Sequence, residues 1–199
     1  MRLTAHDLAC VRGGRRVFAG VSFDLAGGDV MLVTGPNGAG KSSLLRIVAG
    51  LLRPASGRLS LEGGAKEASI AEQTHYVGHQ DALKTTLSVA ENLAFWTAFL
   101  GRGDDVMAAL SAFDLAPLAH LPAAYLSAGQ RKRLSLARLA AVKRPIWLLD
   151  EPLSALDHAS QSRLVELMRH HRDRGGLAIV ASHGPIGLAP ALELRLGPT

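Results

Sequence analysis

Two short stretches carry residues that can do chemistry together. "GPNGAGKS", residues 35–42, has the form G-x-x-x-x-G-K-[ST] and lies between an apolar run and a helical pattern. Glycines let such a loop wind tightly, so that backbone N–H groups point inward and the following helix adds its positive end. Gly35, Pro36, Asn37, Gly38, Ala39, Gly40, Lys41, Ser42 and Ser43 are thus the candidate phosphate cradle. Lys41 is expected to reach the β- and γ-phosphates, and the Ser42 hydroxyl to ligate Mg²⁺. The second stretch, "IWLLDE", residues 146–151, reads as a buried strand ending in two acids. Asp150 at the strand tip is placed to hold Mg²⁺. Glu151, one residue nearer solvent, can polarise a water for in-line attack on a γ-phosphate. The chemistry is hydrolysis of a nucleoside triphosphate. Nothing like a guanine-reading N-K-x-D follows, which favours ATP over GTP.

Such residues need a sheet edge and helix starts to hold them. The chain opens with two half-alternating stretches, "RLTAHDLACV" and "RVFAGVSFDLAGGD", read as strands with Gly-rich turns. "VMLVTG", "PIWLLDEP" and "LAIVASH" are compact apolar runs, as expected of strands covered on both faces. "GRLSLEG" is a further strand and "ALELRLG" a last, edge one. "KSSLLRIVAGLL" has a helical stripe of Leu44, Leu45, Val48 and Leu52, expected to run to the stop at Pro54 and Gly57. Ser88 and Glu91 have capping-box spacing ahead of Val89, Leu93, Trp96 and Leu100, and "DDVMAALSAF" reads as the next helix. Another helix is expected over residues 158–173, stopped by Gly175 and Gly176. The fold class is α/β: a mostly parallel sheet, an N-terminal antiparallel β portion and an inserted helical lobe at about residues 84–135.

Composition bounds the rest. With 199 residues, 48% apolar and 20% charged, this is one folded domain. No stretch reaches the roughly 18 apolar residues of a membrane span, and the N-terminus lacks an apolar run of signal-peptide length, which argues against export. Cys10 is the only cysteine, so it is expected as a small buried apolar side chain in a reducing compartment. The net charge of +5 would suit several anionic partners and decides nothing. "RHHRDRGG", residues 169–176, reads as a solvated helix end.

One stretch resists a purely structural reading. "LSAGQRKR", residues 126–133, opens a basic helix on small residues, although Gly costs a helix about 1 kcal/mol against Ala. With it the chain resembles, over nearly its whole length and in order, the ATP-binding subunits of ABC transporters. "GPNGAGKS" is similar to their phosphate loop and Gln80 in "YVGHQ" to their Q-loop glutamine. "LSAGQ" is similar to their signature motif, with Ala128 for the usual Gly. "IWLLDE" corresponds to their magnesium strand, "SALD" (154–157) to their D-loop, and His183 to their switch histidine.

The resemblance implies an ABC ATPase fold, a single ATP-binding domain over 1–199, and a head-to-tail pair, here a homodimer. In that pair Ser127, Gly129 and Gln130 contact ATP held by the phosphate loop of the other copy. It further implies that His183 orients water and γ-phosphate, and that Gln80 senses the nucleotide as a ligand near Mg²⁺. Arg12 takes the adenine-stacking position that is usually aromatic. Integral membrane subunits are the implied partners, with the chain peripheral on the cytoplasmic face of a bacterial inner membrane, no nucleic acid, and no haem bound to this subunit. His75 and His79 are expected to serve docking or packing.

Among such subunits the chain most resembles those of haem exporters in bacterial cytochrome c maturation. It shares "GHQ" followed by a Lys-Thr, "LSAGQ" followed by basic residues and "LARL", and an end at Thr199 without a regulatory tail. Two alternatives stand beside this: an ABC transporter subunit for another cargo, and a soluble ABC ATPase acting on ribosomes or nucleic acid.

Overall fold

A computed structural model describes residues 1–101, 105–190 and 192–197. Two sheets form. Strands β1 (Arg2–Arg12), β2 (Arg15–Ala26) and β4 (Ser56–Glu62) make an antiparallel sheet in the order β2-β1-β4. Strands β3 (Val30–Thr34), β5 (Thr74–Val77), β6 (Ile146–Asp150), β7 (Leu177–Ala181) and β8 (Leu192–Arg195) make a sheet in the order β5-β6-β7-β3-β8. Every described pairing in this second sheet is parallel. The helices are α1 (Lys41–Val48), α2 (Val89–Leu100), α3 (Val106–Ala112), α4 (Ala128–Ala141) and α5 (His158–Asp173).

The two-residue period of a strand sorts the parallel sheet into two cores. Met31, Val33, Ile146, Leu148, Leu177 and Ile179 pack with α1 and the antiparallel sheet. Val30, Leu32, Trp147, Leu149, Ala178 and Val180 pack with α5 and with residues of the three helices α2, α3 and α4. Burial on both faces is why these strands read as unbroken apolar runs. Cys10 is buried in the first core.

Four expectations change in detail. Helix α1 ends at Val48 rather than near Pro54, because Gly50 adopts φ 71° and its neighbour Leu51 closes back on the Arg46 carbonyl at 2.8 Å. Strand β5, four residues long and partly polar, gives too little alternation to be seen in the sequence. The end of α5 is not simply solvated: the His171 ring stacks on Trp147 at 3.8 Å, and burial lowers its pKa to about 4. The helix read from "DDVMAALSAF" begins at Val106 behind the cap Asp105, and Asp104 lies outside the described residues, as do Ala191 of the edge strand and Thr199.

Candidate active site

The loop between β3 and α1 wraps one end of a cleft of about 610 Å³. Gly40 caps α1 with φ 102°, and a Cβ there would lie 2.6 Å from Val17 and 2.8 Å from Phe18, so only glycine fits. Pro36 through Ser43 line the cleft; Gly35, which begins the loop, instead abuts the Leu196 carbonyl. Lys41 is 7% exposed; its Nζ donates to the Gly35 carbonyl at 2.8 Å and approaches His183 Nε2 at 3.3 Å.

On the far wall, regular strand geometry would send Asp150 and Glu151 to opposite faces. Both nevertheless line the cleft, because the chain kinks at Glu151 into the left-handed region, φ 48°. The kink is held by the Glu151 N–H donating to the Ala181 carbonyl at 2.9 Å, and by the Ser154 hydroxyl donating to the Glu151 carbonyl at 2.8 Å. Such strain persists where the surroundings enforce it, often at functional sites. Asp150 is 2% exposed with Oδ2 unpartnered. Glu151 Oε1 has no hydrogen bond but faces His183 Nε2 at 3.6 Å. One imidazole nitrogen therefore stands between an ammonium and a carboxylate: unprotonated it accepts from Lys41, protonated it faces Glu151.

Arg12 and Val17 line the same cleft beyond the loop. Gln80 does not line it and is exposed; its neighbour His79 does, as does Ser154. Neither of those two was singled out for the cleft from the sequence. The "GHQ" order alone could not tell which side chain turns inward, and Ser154 showed only as part of "SALD". His75 is 1% exposed, bonded through Nε2 to the Val142 carbonyl at 2.7 Å, with burial lowering its pKa to about 3. It is a packed core residue.

The signature residues stand apart from this cleft: none of Ser127, Gly129 and Gln130 lines it. Ser127 caps α4 in a capping box, its hydroxyl accepting from the Gln130 N–H at 3.2 Å while the Gln130 side-chain oxygen accepts from the Ser127 N–H at 2.8 Å. A serine hydroxyl that accepts one hydrogen bond still has its own proton to donate outward. Gly129 is explained within the chain as well: a Cβ there would lie 2.9 Å from the Ala155 carbonyl of the 154–157 segment.

Comparison with known proteins agrees with this architecture. Residues 18–154 match the family described as ABC transporter. The chain is 60% identical over 198 residues to the cytochrome c biogenesis ATP-binding export protein CcmA of Rhodopseudomonas palustris strain BisB18, covering 99% of this chain and 98% of that protein. It is 49% identical to the protein of the same name in Brucella abortus strain 2308, covering 97% and 90%. Among solved structures, an ABC transporter ATP-binding protein from Pyrococcus furiosus superposes with a TM-score of 0.82 at 21% identity, covering 98% of both chains. A dimeric ATP-binding cassette in a post-hydrolysis state bound to ADP and Pi gives 0.79 at 23% identity, covering 92% of this chain and 88% of that one. The chain belongs to the ABC transporter family as an ATP-hydrolysing subunit, among the cytochrome c biogenesis ATP-binding export proteins.

Proposed function

We propose that this subunit powers the haem exporter of cytochrome c maturation, with each ATP bound between two copies of the chain. The observation that carries the reading is the division of the reacting groups. Lys41, Asp150, Glu151 and His183 share one cleft, whereas the capped start of α4 does not reach it. A second copy, facing the first head to tail, brings its own Ser127, Gly129 and Gln130 to the γ-phosphate, where the positive end of α4 and the free hydroxyl proton favour an anion. The ATP-binding cassette of similar fold that is bound to ADP and Pi is itself dimeric, which supports pairing.

In this scheme the loop from Gly35 to Ser43 cradles the phosphates and Lys41 exchanges its carbonyl contacts for the β- and γ-phosphates. Arg12 stacks on the adenine. Glu151 accepts a proton from the attacking water while His183 holds that water against the γ-phosphate. Mg²⁺ fits the cleft chemistry: Asp150 presents an unpartnered buried oxygen and Ser42 a hydroxyl on the same lining. Among the described residues no group of three or more His, Cys, Asp or Glu forms a metal cage. That suits an ion which keeps waters and phosphates as its other ligands. Ser42 and Asp150 would hold Mg²⁺, with Gln80 joining once its segment turns inward, and the ion would neutralise phosphate charge. Loss of the γ-phosphate removes the contact between copies and lets them part.

No helix among the described residues is long and apolar enough to cross a membrane, so transport needs separate membrane subunits. A groove of about 500 Å³ between the end of α1 and α2 suits their docking. Its rim carries Leu51 and Phe99, 65% and 70% exposed, and its wall Trp96, which meets Phe99 edge to face. Exposed apolar groups gathered on a groove favour an amphipathic helix from a partner. Docking there makes the chain peripheral at the cytoplasmic face of the inner membrane. Deleting the gene tests the cargo: c-type cytochromes should lose their covalent haem stain while b-type cytochromes persist. Normal c-type staining would reject haem export and leave a transporter of another cargo.

A further inference from the structure

Between β6 and α5 the segment from Glu151 to Asp157 holds two non-glycine residues in the left-handed region, Glu151 at φ 48° and Ala155 at φ 61°. Backbone of that kind lasts where its surroundings enforce it. Hydrogen bonds do much of the enforcing. Glu151 donates its N–H to the Ala181 carbonyl at 2.9 Å, and its own carbonyl accepts from the Ser154 hydroxyl at 2.8 Å. Gln161 of α5 donates Nε2 to the Leu156 carbonyl at 3.1 Å, and the Asp157 side chain caps that helix at 2.7 Å from the Ser160 N–H. The Ala155 carbonyl has a different neighbour. It faces Gly129 in the first turn of α4, so closely that a Cβ at Gly129 would lie 2.9 Å from its oxygen. A methyl group does not fit against a backbone oxygen at that distance, so either α4 or Ala155 would have to move.

The missing side chain of Gly129 therefore sets how near the strained segment lies to α4. Ala155 adjoins Ser154, and the Ser154 hydroxyl holds the Glu151 carbonyl. We infer that Gly129 is a positioning residue for Glu151 of its own chain. By lacking a side chain it lets Ala155 pack on α4, and the packed segment, acting through Ser154, keeps Glu151 kinked into the cleft. This role differs from the contact that Gly129 makes with ATP held by the other copy, and it rests on the proposed two-copy site. One glycine then serves two sites: it meets the triphosphate across the pair and steadies the base of its own cleft.

Pairs of damaged chains separate the two roles. In an equimolar mixture of Lys41→Ala and Gly129→Ala, half the pairs hold one site with an intact phosphate loop facing an intact α4. That loop belongs to the Gly129→Ala chain. Were Gly129 needed only by the other copy, the mixture would return about a quarter of wild-type turnover. The inference predicts less than about a tenth of that quarter, with the melting temperature of Gly129→Ala within about 3 °C of wild type. Return of the full quarter overturns it. Ser154→Ala, a change at an exposed position, frees the Glu151 carbonyl. It should lower kcat about tenfold with the ATP concentration for half-saturation within about twofold, and Ser154→Thr, which keeps the hydroxyl, should restore kcat. A kcat for Ser154→Ala within twofold of wild type overturns the inference equally, and decides it alone should Gly129→Ala fail to fold. The control is Lys41→Ala mixed with Ser127→Asp, which leaves Gly129 in place. No return of activity in the control counts against the proposed function instead, and the Ser154 variants then decide the inference.

Discussion

Glu151 combines a strained backbone, a side chain in the cleft and a carboxylate oxygen without a hydrogen bond. A glutamine has the same shape and cannot take up a proton. Glu151→Gln should therefore bind ATP within about twofold of wild type and slow phosphate release by roughly 10²-fold or more. On gel filtration with Mg-ATP it should elute as a dimer, and normal turnover would remove Glu151 from the role of base. That Lys41, Asp150 and Glu151 would share one cleft was legible in the sequence because a glycine loop and an apolar run ending in acids are local patterns. Gly129 was legible only in part: its smallness suggested a close phosphate, but the carbonyl of Ala155 approaches it within the chain, a contact created by tertiary folding. Lys132 was not legible at all. Inside "RKR" it reads as a solvated charge, and only the packing of α4 shows it buried.

Helix boundaries followed their chemical signals closely where caps were strong. Ser88 with Glu91, and Asp157 ahead of α5, cap as their types suggest. Helix α1 was read too long because its apolar stripe continues past Gly50, which stops it by conformation rather than by hydrophobicity. The "RHHRD" end of α5 is solvated as its charges suggest except at His171, which folds under onto Trp147.

That burial has a pH consequence shared with His75 in β5. Their folded pKa values are about 4 and about 3, below the ordinary 6.5. Between pH 6.5 and 4 the unfolded chain binds protons that the folded one refuses, so stability is complete above pH 6.5 and falls as the pH drops. At pH 4 each imidazole costs up to about 3 kcal/mol. Urea midpoints measured across this range should fall steadily, and His171→Phe should flatten the slope. A midpoint independent of pH would show the imidazoles to be solvated.

At the level of the whole chain, the two-sheet α/β plan could be read from alternating strand and helix patterns, because each pattern reports one buried face. What those patterns could not give is separation. The motifs lie in one sequence, yet Ser127, Gly129 and Gln130 are not among the residues that line the cleft. Mixing two damaged forms exposes the consequence. Lys41→Ala spoils the phosphate loop, and Ser127→Asp keeps a good helix cap while setting a negative charge against the γ-phosphate. Each form alone should be inactive. If every site is built from two chains, a mixed pair has one site joining an intact loop to an intact α4, and random pairing restores roughly a quarter of the wild-type rate. An equimolar mixture as inactive as its components would mean that each chain completes its own site, which contradicts the account.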